Sequence, residues 1–139
     1  MRTVEDDEGR RYLLRKRSAE SSLVFDPETG EECYVANARL SDHGGESPLE
    51  TAARTVSAPI RTLLSAVHDD RGLGLLLELD RRGPLPVRDL MSTYDLCESD
   101  LHGRIAELRV AGLIEETSVN GERGYATTDL GERALASLR

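Results

Sequence analysis

The spacing of apolar residues between positions 83 and 112 predicts two consecutive helices. Leu85, Val87 and Leu90 lie at helical intervals after a Gly-Pro pair, and polar residues then mark the end of this short helix. A second apolar set recurs at i, i+4, i+7 and i+10, which places it on one helical face: Leu101, Ile105, Leu108 and Ala111. Gly112 suits a left-handed C-cap, so we expect the second helix over about 98–111.

The residues after this helix predict a hairpin and a last helix. Two short strand-like segments flank a loop at 120–124, and the Asn-Gly pair in that loop supplies the positive φ angles of a tight turn. Thr128 offers a hydroxyl N-cap for a final helix over 129–138. Helix, helix, hairpin and helix follow one another in a winged helix-turn-helix, whose wing would span about 113–128.

Two stretches carry a resemblance to known proteins. The run LCESDLHGRIAELRVAGLIE, residues 96–115, resembles the recognition-helix segment of bacterial and archaeal winged-helix transcription regulators of the MarR, ArsR and PadR kind. The tail YATTDLGERALASL resembles their wing-to-last-helix ending. The resemblance spans about 71–138 and implies a sequence-specific regulator that binds double-stranded DNA as a homodimer, with the recognition helix in the major groove.

The resemblance also implies which side chains would contact DNA. Exposed positions in the first turns of the recognition helix would reach base edges, a glycine there would allow close approach, and wing arginines would contact the backbone. The candidates are Ser99, His102, Gly103 and Arg104 on the recognition helix, Arg123 on the wing and Arg88 on the preceding helix. The alternative, a solvated surface with no partner, stays open for each of them.

Charge argues against an ordinary DNA-binding protein. The chain has 26 acidic and 18 basic residues, a net charge of -8, and a single lysine. Such a charge repels phosphate, and Glu98, Asp100 and Glu107 add carboxylates to the recognition helix itself. Either the chain is a winged-helix module that docks onto another protein without touching DNA, or it works in high salt, where a Debye length of about 3 Å at 1 M restricts charge effects to direct contacts. We favour the second interpretation, because an acidic, lysine-poor composition resembles proteins of salt-accumulating halophilic archaea.

The N-terminal third predicts a small sheet. Residues 12–14 and 22–25 read as strands, a turn follows at 26–30, and residues 33–35 alternate on a return strand. We therefore expect a hairpin or three-stranded meander over about 10–36. Its apolar face would carry Leu23, Phe25, Cys33 and Val35. The basic run at 10–17 could follow a DNA backbone, but neutralisation of the acidic residues 5–8 is the simpler explanation.

The middle of the chain predicts a linker and added helices. Residues 37–46 are polar and glycine-rich, which indicates a linker. A capping box with proline at the first helical position starts a helix at Ser47, and Pro59 divides the helical pattern that continues to 68. The fold is thus expected to be α+β, with a winged-helix domain over about 70–139. The helices over 47–68 and the last helix are the candidate dimer surface.

No motif for catalysis, cofactor binding or metal binding is present in the sequence. Cys33 and Cys97 are far apart, and His43, His68 and His102 are scattered, so neither a zinc site nor an enzyme is expected. The acidic N-terminus and the lack of an 18-residue apolar run predict a cytoplasmic protein without membrane contact. A third alternative is a sensor with a ligand pocket between the added helices and the winged core, for which the sequence names no effector.

Cys97 has a chemical alternative of its own. It precedes the recognition helix at the N-cap, where thiolates are stabilised, so oxidation there could act as a switch. The alternative is a buried or capping thiol with a structural role.

Overall fold

A computed structural model describes residues 1–138, which form two compact units. Unit 1 is Met1–Ser57 and unit 2 begins at Ala58. The boundary divides the segment 47–68, which the sequence pattern predicts as one group of added helices. The capped helix lies in unit 1, and the helix that follows lies in unit 2.

Unit 1 is an antiparallel five-stranded sheet with strand order β4-β3-β2-β1-β5. Its strands are β1 Arg2–Glu5, β2 Arg11–Arg17, β3 Ser21–Asp26, β4 Glu31–Ala36 and β5 Ser41–Asp42. The predicted meander corresponds to β2, β3 and β4, whereas β1 and β5 were not expected. The segment 37–46 is more structured than a linker, because it contains a 3-10 helix at Asn37–Arg39 as well as β5. The helix α1, Pro48–Ala52, and a second 3-10 helix at Ala53–Thr55 complete the unit.

The predicted apolar face of this sheet was wrong. Val24 pairs with Cys33 and Ser22 with Val35, and residues opposite each other in an antiparallel pair share a face. Leu23 and Phe25 therefore lie on the other face. The buried core consists of Val4, Tyr12, Val24 and Val35. Three consecutive apolar residues at 23–25 leave the inward position undecided in the sequence, and pairing with β2 and β4 selects the middle one.

A largely buried carboxylate, Glu46, joins α1 to the sheet. Glu46 accepts hydrogen bonds from Arg11 Nη1 at 2.7 Å, Arg54 Nη2 at 2.7 Å and Thr51 Oγ1 at 2.6 Å. Thr51, fully buried, also lies 2.6 Å from the hydroxyl of Thr3 on β1. The Arg54 guanidinium, followed by the Thr51 and Arg11 donors, lowers the pKa of Glu46 to about 2 despite its burial.

Within residues 1–138, the ion pairs of the basic run at 10–17 are not made with the acidic residues just before it. Arg11 pairs with Glu46, and Arg10 Nε lies 3.4 Å from Asp26. Asp6 is instead satisfied by two backbone N–H groups and by the hydroxyl of Tyr12. The expected pairing within the N-terminal segment was therefore wrong, since the strands carry these charges to other partners.

Unit 2 has the winged helix-turn-helix fold, and the expected α+β class is confirmed. Its elements are α2 Ala58–Ala66, α3 Asp70–Arg82, β6 Leu85–Pro86, α4 Val87–Thr93, α5 Glu98–Val110, β7 Ile114–Val119, β8 Glu122–Thr127 and α6 Asp129–Ala136. The sheet order is β6-β8-β7, and the strands are antiparallel. A single apolar core includes residues from all the helices of the unit and from the sheet.

Local signals set most of these boundaries. The Thr128 hydroxyl accepts a hydrogen bond from the Gly131 N–H at 3.1 Å, which confirms the predicted cap of α6. Asn120 and Gly121 have φ angles of 51° and 80° and form a two-residue turn, tighter than the loop expected at 120–124. Leu85 lies in β6 opposite Tyr125, rather than in the helix where its spacing had placed it.

Glu46→Gln keeps the side-chain shape and removes the charge, so we expect unit 1 to lose about 2 kcal/mol of unfolding free energy at pH 7. The pKa of Glu46 is about 2 in the folded protein, against about 4.3 in an unfolded chain. The stabilisation is therefore complete above about pH 5 and is lost as the pH falls toward 2. Hydrogen exchange of the β1 and β2 amides in urea, at pH 7 and pH 3, measures both effects.

The matched control is Glu20→Gln at an exposed position, which should leave exchange unchanged at both pH values. Equal protection in Glu46→Gln and the parent protein at pH 7 would contradict a stabilising role for the carboxylate.

Candidate nucleic-acid interface

The helix α5 buries one face and exposes another. Leu101, Ile105 and Leu108 are buried in the core of unit 2. Ser99 and Gly103 are exposed, and His102 is half-buried with Nε2 3.6 Å from Glu98 Oε1. The N-terminal half of α5 therefore presents a hydroxyl, an imidazole and a bare backbone position to solvent.

Arg104 is engaged with two carboxylates instead of extending into solvent. Its Nη1 and Nη2 atoms donate to the two oxygens of Asp69 at 2.6 and 3.1 Å, and its Nε lies 3.3 Å from Asp100. The Arg104 side chain is 18% exposed. We call these three residues, together with Arg71, which lies 3.3 Å from Asp100, the Arg104 cluster.

The Arg104 cluster connects α5 to the beginning of α3. Asp69 is the N-cap of α3 and accepts a hydrogen bond from the Gly72 N–H at 2.9 Å. Arg104, and then this N–H group, lower the pKa of Asp69 to about 2. A planar guanidinium that donates to both carboxylate oxygens fixes the relative orientation of the two side chains as well as the distance between them. The cluster therefore sets how α5 lies on the start of α3.

Two exposed arginines, one on the wing and one on α4, each lie beside a carboxylate of the wing. Arg123 on β8 has Nε 2.5 Å from Glu116 on β7 and donates from Nη2 to the Tyr125 hydroxyl at 2.8 Å. Arg88 on α4 has Nη2 3.0 Å from Glu122, and its side chain is 76% exposed. Exposed pairs of this kind contribute little to stability, because water and salt screen them. Both cations are consequently held near the wing by contacts that another anion could replace.

Sequence reasoning missed three carboxylates that matter at this surface. Asp69 precedes an apolar run and could have been identified as an N-cap, but its pairing with Arg104 depends on the fold. Glu116 and Glu122 are positioned by the hairpin register, in which Glu116 lies opposite Tyr125. If the Asn-Gly pair had been taken as a two-residue hairpin turn, the strand register would have placed Glu116 near Arg123.

Cys97 is exposed, so the buried-thiol alternative was wrong. Its sulfur makes no capping hydrogen bond but lies 3.5 Å from Ser99 Oγ. The Ser99 hydroxyl, and then the nearby N–H group of Asp100, lower the pKa of Cys97, while the Asp100 carboxylate opposes this. Cys97 is therefore an accessible thiol with increased thiolate character.

Two further properties of the described residues concern metal-ligating groups and helix length. Within residues 1–138, no three side chains of the metal-ligating types lie together in a group. None of the described helices is long and apolar enough to span a bilayer.

Arg104→Lys keeps the charge but cannot form the two-pronged contact with Asp69, so we expect the thermal midpoint of unit 2 to fall by about 4 °C. Differential scanning calorimetry measures the change. The matched control is Arg133→Lys, an exposed position on α6, for which we expect no shift. A midpoint in Arg104→Lys that equals the parent value would contradict a structural role for the Arg104 cluster.

The lowered pKa of Cys97 predicts fast reaction with thiol reagents at neutral pH. In a Cys33→Ser background, the rate with 5,5'-dithiobis(2-nitrobenzoate) should reach half its maximum at a pH below about 8.5, the value for an ordinary thiol. Replacing Ser99 by Ala should raise this midpoint, because the hydroxyl contact is lost. If the midpoint pH lies at or above the ordinary value and does not change in Ser99→Ala, the prediction is wrong and Cys97 is an ordinary surface thiol.

Comparison with known proteins agrees with the geometry. The chain is similar to the crystal structure of HlyU, a transcriptional regulator from Vibrio vulnificus CMCP6, at 27% sequence identity and a TM-score of 0.50, over 62% of this chain and 88% of that chain. A search of curated proteins gives no significant match. A family model described as a family of unknown function, DUF7346, matches residues 1–139. The chain therefore belongs to the DUF7346 family.

Proposed function

We propose that the protein is a transcription regulator that binds double-stranded DNA in a sequence-specific manner through unit 2. The observation that carries the proposal is the exposed N-terminal half of α5 together with the exposed Arg123 of the wing and Arg88 of α4, in a fold similar to that of a transcriptional regulator. Such a helix fits the major groove, and such a wing lies along the backbone. A regulator of this kind would act in the cytoplasm.

The roles of the candidate residues follow from their surroundings. Ser99 and His102 can donate hydrogen bonds to base edges, and Gly103 allows close approach of the α5 backbone. Arg123 and Arg88 would contact phosphates. The position of Arg104 on the recognition helix makes it a candidate for base contact, but its engagement by two carboxylates favours a role in positioning α5.

Phosphate binding on this surface would proceed by exchange of partners. Glu116 and Glu122 occupy Arg123 and Arg88 in the free protein, and a DNA phosphate would take their place. With a net charge of -8, long-range attraction to DNA is absent, and contacts must provide the affinity. Such contact-dependent binding is compatible with a protein that functions at high salt, the condition that the acidic composition predicts.

A homodimer would present two copies of α5 to two half-sites about one helical turn apart. The proposed dimer surface is formed by α2 and α6, which pack against each other within unit 2. Leu64 on α2 is 67% exposed and Leu138, after α6, is 52% exposed. Burial of these apolar side chains against a second copy would stabilise the dimer.

The test is fluorescence anisotropy with duplex DNA from upstream of the protein's own coding region, from 0.2 to 3 M KCl. Arg123→Ala should weaken all sequences alike and reduce the salt slope by about 1, because it removes a phosphate contact. His102→Ala should cost about 1–3 kcal/mol on the preferred sequence and little on others. Glu116→Gln should strengthen binding roughly threefold, because Arg123 then loses its competing partner.

Arg2→Ala in unit 1, where the exposed arginine is likewise paired with a carboxylate, Asp42, is the matched control and should not change affinity. If the protein binds no duplex at any salt concentration, the regulator proposal fails. Glu98, Asp100 and Glu107 on α5, with wing arginines that are already paired, would then favour a protein-interaction module instead.

A further inference from the structure

The face of the unit 1 sheet that carries Leu23 and Phe25 is only half covered. Its inner part lies under α1, where Thr3 on β1 is buried against Thr51. Its outer part, on β3 and β4, adds Tyr34, which lies opposite Leu23 and therefore points to the same side. The Tyr34 side chain is 69% exposed, and Leu23 and Phe25 are half-buried. Apolar and aromatic side chains are therefore open to solvent on two neighbouring strands.

Two adjacent cations of β2 lie on this same face. Lys16 is opposite Leu23, and the guanidinium carbon of Arg15 lies 5.1 Å from the centre of the Phe25 ring. Neighbours along a regular strand point to opposite faces, but a bulge just before Lys16 shifts the register and brings both cations to one side. Both are exposed, and Lys16 makes no ion pair within residues 1–138. Positive charge and aromatic surface therefore occur together here.

The face offers two flat platforms. One is the Tyr34 ring, and the other is the Arg15 guanidinium over Phe25, which can stack on a further planar group. Arg15 Nε lies 3.7 Å from Glu32, but both side chains are exposed, so this pair restrains the guanidinium weakly. Phe25 and Tyr34 are diagonal neighbours across β3 and β4, about 7–8 Å apart. Successive bases of a duplex strand are about 3.4 Å apart, so two bases on these platforms must be separated, as in an extended single strand.

We propose that this open face of unit 1 binds single-stranded nucleic acid. One base stacks on Tyr34, the next stacks on Arg15 over Phe25, and Lys16 contacts the phosphates. A single strand supplies both planar surfaces and anions, whereas the bases of a duplex are stacked on each other and an apolar protein helix gives Lys16 no anion. Stacking acts at contact and does not depend on long-range attraction, which suits a chain with a net charge of -8.

Single-strand binding is independent of the proposed duplex binding. All residues of the open face belong to unit 1, whereas the residues proposed to contact duplex DNA belong to unit 2. Variants of one surface therefore leave the other intact, and either activity can be measured without the other.

The test is fluorescence anisotropy of the full chain with labelled oligothymidylate of about 15 nucleotides and with an abasic strand of equal length, which has the same backbone without bases. Oligothymidylate should bind about tenfold more tightly, because only its bases can stack. Oligouridylate, measured in parallel against its own abasic strand, identifies whether DNA or RNA is the preferred strand.

Three variants assign the binding to the open face. Tyr34→Ala should weaken oligothymidylate about tenfold and leave the abasic strand unchanged, whereas Tyr34→Phe keeps the ring and should keep the affinity. Lys16→Gln should weaken both strands and reduce the salt slope by about 0.7, because it removes a phosphate contact. The matched control is Leu49→Ala on α1, which removes an apolar side chain that is 84% exposed and should change neither affinity.

Equal affinity for the base-bearing and abasic strands, or the same oligothymidylate affinity in Tyr34→Ala and the parent, would overturn the proposal. A loss of single-strand binding in the double variant His102→Ala, Arg123→Ala would overturn it as well, because the strand then binds unit 2. If Tyr34→Ala changes the molecular mass in analytical ultracentrifugation, the face is a contact between copies and the proposal is wrong. Tyr34→Ala should keep the duplex affinity of the parent, so that failure of this proposal is distinguished from failure of the regulator proposal.

Discussion

The contact between Arg104 and Asp69 determines what α5 can present to a partner. The apolar residues Leu101, Ile105 and Leu108 bury one face of the helix. Apolar packing is non-directional, however, so small rotations of the helix about its axis cost little free energy. The two-pronged ion pair at 2.6 and 3.1 Å adds direction. Because Asp69 also caps α3, a shift of α5 would disturb the start of a second helix. The orientation of the exposed residues of α5 therefore depends on the contact between Arg104 and Asp69.

Pairing of opposite charges is the general condition of this acidic chain. Arg88 and Arg123 are paired with wing carboxylates, and neither presents a free positive charge. Exchange of a carboxylate for a phosphate changes the local charge very little, so its free energy depends on contact geometry more than on long-range attraction. At 1 M salt the Debye length is about 3 Å, and the cost of bringing the remaining carboxylates near DNA is then also reduced. An acidic winged helix is consistent with DNA binding under that condition.

The elements of unit 2 could be predicted from the sequence because their signals are local. Helical periodicity, the Thr128 cap and the Asn-Gly turn each involve residues only a few positions apart. The predictions that were wrong concern residues whose structure depends on distant partners. Leu85 joins a strand because Tyr125 lies opposite it. Likewise, Val24 faces inward because of its neighbours on β2 and β4. Of the candidate site, the exposed positions of α5 were predictable from its apolar stripe, whereas the pairing of Arg104 across 35 residues was not.

Two partly buried charged side chains show how differently the two units use polarity. In unit 1, Glu46 has a donor for each oxygen, so its burial stabilises the attachment of α1 and needs nothing further. In unit 2, the Nε of Arg61 is buried without an acceptor. Burial of an unpaired donor opposes folding, and an apolar side chain of similar size at this position would avoid the cost.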